Sequence, residues 1–141
     1  MANSQGISGA AKQAALGAIV DGKTLKAALY LASATTGPTN AAYTATGELA
    51  ATGNYVAGGA SVTNGNTAGL TGTTAFWTPS ASIAWTNLTS SGAFDATMIY
   101  STTDANRSIG VFTFGSQSVT AGNFSLTMPT NDATTGLVRL A

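Results

Sequence analysis

Apolar side chains recur at every second position in several short segments, and this period limits the fold more than any other feature of the chain. In the clearest segment, which begins after Thr24, one set of alternating residues is Leu25, Ala27, Leu29 and Leu31. Lys26, Ala28 and Tyr30 occupy the positions between them. Because successive side chains of a strand point to opposite faces, this period predicts a strand with one buried face.

Further segments have the composition of strands and are separated by turn residues. They are residues 55–63, 73–78, 82–88, 95–101, 108–114, 117–128 and 136–140. The dipeptide Asn64-Gly65 predicts a hairpin, since both central positions of a type I′ turn need a positive φ. Between the first two strands, residues 40–53 predict a long, irregular connection that carries Tyr43 and Glu48.

The only helix that the sequence predicts lies near the N-terminus. Ser8 can cap a helix that runs to about Val20, and Gly22 can stop it. The apolar residues at helical spacing are Ala11, Ala15 and Ile19, with Leu16 and Val20 beside them.

Seven or eight short strands behind one helix favour a mainly β fold. With no helical segments between the strands, we expect an antiparallel β-sandwich or jelly-roll-like domain and not a βαβ sheet. A length of 141 residues corresponds to one domain. We expect an N-terminal arm and helix at 1–22 and the β-sandwich at 23–141.

The composition excludes most catalytic and metal-binding chemistry. Ala, Thr, Gly and Ser make up 81 of the 141 residues, 7% are charged, and the chain has no His or Cys. A Ser-His-Asp triad and a zinc site therefore cannot be built, and for a serine nucleophile only a Ser-Lys pair with Lys12, Lys23 or Lys26 stays formally open. We predict no catalytic, metal-binding or cofactor-binding residues, and a protein that is not an enzyme.

Two sets of side chains have a functional alternative. Asp95 and Asp104 flank a strand and its turn and could act as a glycosidase pair, although capping of turns is the favoured interpretation. Phe76, Trp77 and Trp85 could stack on a sugar or a base. Burial in the core of a small β-domain is the favoured interpretation for these three aromatic residues.

The charges and the apolar runs exclude two classes of partner. Five basic and five acidic residues are spread thinly along the chain, so we expect no nucleic-acid binding. No apolar run is long enough for a transmembrane helix, and residues 1–6 have no basic segment, so we expect a protein made in the cytoplasm that does not enter a membrane. Arg139 could anchor an interface, but a solvent-facing position on the last strand is favoured.

The order of the residues is informative beyond composition in eight sequence blocks, which are spread over nearly the whole chain. They are AKQAAL at 11–16, KAALY at 26–30, TATGE at 44–48, NYVAGG at 54–59, AFW at 75–77, ATMIY at 96–100, IGVFTFG at 109–115 and LVRL at 137–140. This pattern resembles short structural proteins of tailed-bacteriophage virions, of the capsid decoration or cement type. The resemblance implies no catalytic residues.

The resemblance implies a role on the outer surface of the capsid. We expect a decoration protein whose partner is the major capsid protein and which bridges neighbouring subunits of the DNA-filled head. A homo-oligomer is expected, and a trimer is compatible with the threefold sites of shell lattices. The alternative is a tail component or a host-surface-binding virion module, in which Trp77, Trp85 and Tyr55 would be exposed.

Overall fold

The mainly β class predicted from the alternating segments is confirmed in a computed structural model, which describes residues 2–141. The elements are α1 (Gly9–Val20), β1 (Leu25–Leu31), β2 (Ala60–Val62), β3 (Gly69–Thr71), β4 (Thr74–Trp77), β5 (Ile83–Leu88), β6 (Phe94–Ser101), β7 (Arg107–Gln117), β8 (Gly122–Leu126) and β9 (Val138–Leu140). The strands pair antiparallel in three sheets, with the orders β2-β1-β6-β7, β3-β4-β9 and β5-β8. This arrangement is consistent with a β-sandwich-like domain with one helix near the N-terminus.

The limits of α1 agree with the sequence prediction. The hydroxyl of Ser8 accepts a hydrogen bond from the backbone N–H of Ala11 at 3.2 Å, which satisfies one of the free donors of the first turn. The chain leaves the helix at Asp21, and Gly22 follows with a φ of 64°, a conformation that glycine adopts at little cost.

The buried face of α1 differs from the predicted stripe. Leu16 and Val20 are buried as expected, but Ala11 and Ala15 are exposed. The reason is the close approach of Gly9 to the turn between β3 and β4, where an added Cβ would lie 2.8 Å from the carbonyl oxygen of Gly72. Gly9 therefore lies on the buried face of α1 with Leu16 and Val20, and Ala11 and Ala15 lie on the face toward solvent.

The main core lies between the four-stranded sheet and a layer formed by α1 and the two smaller sheets. Phe94 of β6 packs edge-on against Phe124 of β8, with 4.9 Å between the ring centroids. Phe114 of β7 lies 5.5 Å from Phe124 in the same group. Other large, fully buried members of this core are Leu16, Leu25, Leu29, Trp77, Ile83 and Leu88.

The prediction that β1 has one buried face is wrong, because both faces are buried. Ala28 and Tyr30, on the face away from the main core, are as inaccessible as Leu29. Ala34 and Tyr43 of the segment 32–59 pack against this second face. Two backbone bonds hold the same segment at the edge of β1: Leu31 N–H to the Gly47 carbonyl at 2.9 Å and Leu49 N–H to the Leu29 carbonyl at 3.0 Å. This irregular segment therefore covers the second face of β1, as another layer of secondary structure would.

The predicted hairpin at Asn64-Gly65 is also wrong. β2 and β3, on either side of the dipeptide, belong to different sheets. The side-chain amide of Asn64 donates to the carbonyls of Val20 at 2.6 Å and Lys23 at 3.0 Å, and its oxygen accepts from the Trp77 indole at 3.2 Å. These side-chain bonds tie the end of α1 to β4 and compete with a tight turn.

Most other strand predictions are confirmed with changed limits. The predicted strands 73–78, 82–88, 95–101, 108–114 and 136–140 correspond to β4, β5, β6, β7 and β9. The segment 55–63 keeps only its last part as β2, and 117–128 keeps only its centre as β8, because Gln117 ends β7 and a turn with a positive φ at Ala121 follows. The three-residue strand β3 was not predicted.

Candidate interaction surfaces

The structure does not bring together the carboxylates considered for catalysis. Asp95 is the second residue of β6, and Asp104 lies in the turn beyond its end. At about 3.3 Å per residue, the six steps from Asp95 to Ser101 cover roughly 20 Å, whereas glycosidase pairs lie within about 10 Å. Asp104 instead pairs with Arg107 across the turn at 3.4 Å, in agreement with the turn interpretation.

The three lysines form no catalytic pair in the part of the chain that the structure describes. Lys12 donates to the backbone carbonyl of Thr73 at 3.2 Å, and no hydrogen bond joins a serine to Lys12, Lys23 or Lys26. Within residues 2–141, no three acidic side chains converge on a point where a metal ion could sit.

The most organised polar group is a cluster that contains all four tyrosines of the chain around its single glutamate, Glu48. The carboxylate of Glu48 accepts hydrogen bonds from the Tyr43 hydroxyl, from the Tyr55 hydroxyl at 2.7 Å and from the Gly58 N–H at 2.7 Å. Hydrogen bonds to a charged acceptor are stronger than those between neutral groups. We call Tyr30, Tyr43, Glu48, Tyr55 and Tyr100 the tyrosine cluster.

The remaining tyrosine contacts fasten residues 32–59 to the sheet. Tyr30 of β1 donates to the Thr44 carbonyl at 2.7 Å, and Tyr100 of β6 donates to the Gly58 carbonyl at 2.7 Å. The rings of Tyr43 and Tyr100 stack with 4.7 Å between their centroids. The covering segment is thus held at several points along its length.

Burial keeps these phenols protonated. Burial, followed by the negative charge of Glu48, raises the pKa of Tyr30 to about 12. The same two causes raise the pKa of Tyr100. Burial, assisted by the hydrogen bonds to Glu48, raises the pKa of both Tyr43 and Tyr55. At neutral pH the hydroxyls therefore remain donors to the carboxylate and to the backbone.

The cluster also fixes a loop that exposes an apolar side chain. Glu48 and Tyr100 hold the two backbone polar groups of Gly58, and the Gly59 N–H donates to the Val56 carbonyl at 2.9 Å. Val56 projects from this loop and is 67% exposed. A side chain presented on a fixed loop loses little freedom on binding, which favours contact with another surface.

A groove of about 400 Å³ lies beside this loop, between residues 54–60 and residues 84–86 of β5, and we call it the β2–β5 groove. Its lining has no charged side chain and includes the amide of Asn54 and the hydroxyl of Thr86. Trp85, which is 6% exposed, also lines it, and its indole nitrogen has no hydrogen-bond partner. A buried donor without a partner is uncommon and calls for an explanation.

A second groove, of about 210 Å³, opens at the edge of the sandwich between β7 and β8, and we call it the β7–β8 groove. Its lining is largely apolar and also has no charge; the main side chains are Ile99, Phe112, Phe114, Leu126, Met128 and Leu137. Phe112 and Phe114 are only half-buried, so part of the core is accessible from outside. Such pockets suit an apolar side chain of a partner.

The other singled-out residues have structural positions. Trp77 and Trp85 are buried, as the favoured interpretation predicts, and Phe76 is half-buried. Arg139 is exposed on β9, where its guanidinium donates to the Thr134 carbonyl at 2.6 Å. This agrees with a solvent-facing side chain.

No protein family, curated protein or solved structure matches this chain. Among residues 2–141, no helix has the length and apolar character that a membrane-spanning helix needs. Sequence reasoning found neither the tyrosine cluster nor the two grooves. The one signal available was the placement of Tyr43 and Glu48 in an otherwise featureless connection, and their partners lie on strands and loops elsewhere in the chain.

Proposed function

We propose that this protein is a capsid decoration or cement protein of a tailed bacteriophage, which binds the outer surface of the head and bridges neighbouring major capsid subunits. The eight sequence blocks that resemble such proteins motivate the proposal. The observation that carries it is the β7–β8 groove, where half-buried Phe112 and Phe114 leave an uncharged, apolar opening into the core.

The β7–β8 groove fits a contact formed by shape and apolar burial. Interfaces of this kind rely on a few apolar anchors seated in well-packed pockets, surrounded by contacts that exclude water. Thr113 and Thr127, which are both exposed, are also among the residues that line the groove and can serve as its polar surroundings. In this proposal an apolar side chain of the major capsid protein enters the groove.

The mechanism requires only binding. A protein that binds the assembled, expanded shell and not its separate subunits stabilises the assembled state. The stabilisation is about 2.7 kcal/mol per site when the concentration of free protein is 100 times its dissociation constant. Repetition over the many equivalent sites of a shell multiplies this effect against the pressure of the packaged DNA. No catalytic group is needed, in accord with a chain that lacks His and Cys.

The burial of the aromatic residues favours this proposal over the tail or host-binding alternative. That alternative expects Trp77, Trp85 and Tyr55 to be exposed, and they are 0%, 6% and 3% exposed. The copy number per particle separates the two, since hundreds of copies fit a shell component and a handful fit a tail component.

The direct test is genome release on heating, compared between particles that carry the protein and particles that lack it. We expect both to assemble and the particles without the protein to release DNA at a lower temperature. Thr127→Lys places a charge at the β7–β8 groove and should reduce occupancy of the shell by about tenfold or more. Thr71→Lys, on β3 and outside both grooves, is the matched control.

Identical release curves for the two kinds of particle would refute the cement role and favour the tail or host-binding alternative. Full occupancy of the shell by Thr127→Lys would instead show that the contact lies on another surface.

A further inference from the structure

The β2–β5 groove is bordered by two strands that lack a neighbour on one side. β2 is the outer strand of the four-stranded sheet, and β5 pairs only with β8 within residues 2–141. Ala60 of β2 and Ala84 of β5 both line the groove. The unpaired N–H and C=O groups of such strand edges are a template for an extended peptide.

The groove is lined by polar and apolar residues but by no charged one, so it suits an uncharged partner that forms hydrogen bonds. The Trp85 indole nitrogen is a buried donor with no acceptor, and the exposed residues Asn54 and Thr86 also line the groove. The Trp85 nitrogen is covered in the isolated chain, so a bond from it to a docked peptide requires the atoms that cover it to move. A backbone carbonyl supplies such an acceptor, and an uncharged peptide suits a lining without charges.

The chain itself contains a segment with these properties. Residues 2–7, which we call the arm, have no regular structure, are exposed throughout and carry no charge. Ile7 in the arm is 70% exposed and Val56 beside the groove is 67% exposed, the two highest values among the large apolar residues of the described chain. Six extended residues can span about 20 Å.

We propose that the arm of one copy docks as an extended strand in the β2–β5 groove of a second copy, with Ile7 packed against Val56 and a backbone carbonyl bonded to the Trp85 indole. The chain's own arm lies beside Lys12 and Thr73, at the start of α1 and away from the groove. The arm and the groove are different surfaces, so the contact gives a reciprocal dimer, a closed ring or an open chain of copies. This inference goes beyond the shell-binding role and does not rest on it.

Cysteine cross-linking of the full-length protein tests the contact, because the natural chain has no cysteine that could interfere. The double variant Ile7→Cys/Val56→Cys should form covalent dimers or larger oligomers under mild oxidation. The matched control is Ile7→Cys/Leu140→Cys, which uses another exposed apolar residue, on β9. The single variant Ile7→Cys measures collisions between arms.

Three outcomes decide the matter. Oligomers that form in the first pair well above both controls support the proposal. Cross-linking at the control level overturns it. A link within one chain, seen as a monomer of altered mobility, also overturns it and shows that the arm reaches its own groove.

Sedimentation of the full chain gives an independent measurement without cysteines. Ile7→Asp and Val56→Asp should each shift the association equilibrium toward monomer by at least tenfold, and Leu140→Asp should leave it unchanged. Trp85→Phe, which keeps a ring but removes the donor, should weaken association about twofold to tenfold. A wild-type protein that stays monomeric at all accessible concentrations would overturn the proposal.

Discussion

At the scale of single residues, Glu48 accepts more hydrogen bonds than any other member of the tyrosine cluster. One carboxylate serves two phenols and a backbone N–H, and these groups come from three separate parts of the covering segment, at Tyr43, Tyr55 and Gly58. Removing the acceptor would leave several donors without a partner at once, which costs more than the loss of one surface hydrogen bond. Glu48 thus links the fixed loop around Val56 to the sheet.

The tyrosine cluster predicts how stability depends on pH. An unfolded tyrosine has a pKa of about 10. Because burial raises the pKa of Tyr30 to about 12 and raises that of the other three, the native state holds its phenolic protons more tightly than the unfolded state does. The free energy of unfolding should therefore be constant up to about pH 10 and fall as the pH rises toward 12.

Absorbance of ionised tyrosine measures this directly, since all four tyrosines of the chain belong to the cluster. We expect ionisation to coincide with unfolding. In Glu48→Gln, which lacks the charge that adds to the effect of burial on these pKa values, both should begin at lower pH, whereas Asp95→Asn should follow the wild type. Titration of the four phenols near pH 10 in a protein that stays folded would contradict the prediction.

The sequence could not predict this cluster. Tyr43 and Glu48 were placed correctly in an irregular connection, but their partners Tyr30 and Tyr100 were read as ordinary strand residues. Spacing predicts contacts within one helix or between neighbouring strands, whereas these contacts arise only when the covering segment folds back on β1 and β6. The helix cap at Ser8 was predictable because all of its parts lie within four residues.

At the scale of elements, β1 is one of the two inner strands of the four-stranded sheet, with β2 and β6 as its neighbours. We expect Leu29→Asp to abolish soluble expression, because it buries an unpaired charge. Leu29→Ala should remain soluble and lower the free energy of unfolding by about 2–5 kcal/mol, measured by denaturant titration. Thr86→Ala, at an exposed position of β5, is the control and should change it by less than about 0.5 kcal/mol.

An unchanged unfolding midpoint for Leu29→Ala would show that β1 is not buried in solution.

Alternation was a good guide to the existence of this strand because its side chains repeat with the period of the pleat. It failed for the second face, since Ala28 and Tyr30 are covered by residues 32–59, whose sequence has no period. Lys26 made this face of β1 look exposed to solvent in the sequence, although both faces of the strand are buried in the structure.

At the scale of the whole molecule, class was predictable and topology was not. Short alternating segments without intervening helices sufficed for an antiparallel, mainly β fold. The strand pairs β4–β9 and β5–β8 join segments far apart in the sequence, and local patterns carry no information on such pairings. The sequence also shows that the few charged residues are spread along the chain. Two of them, Asp104 and Arg107, form an ion pair across an exposed turn.

The final prediction follows from this distribution of charge and concerns binding to the shell. Both grooves lack charged side chains, so a contact formed there depends on apolar burial, which salt does not screen. We expect the affinity for expanded shells to change by less than about threefold between 0.05 and 0.5 M salt, whereas electrostatically driven association weakens steeply over such a range. Occupancy of purified shells, titrated at each salt concentration, measures this. A steep loss of occupancy with salt would mean that the shell is recognised through the scattered charges and not through the β7–β8 groove.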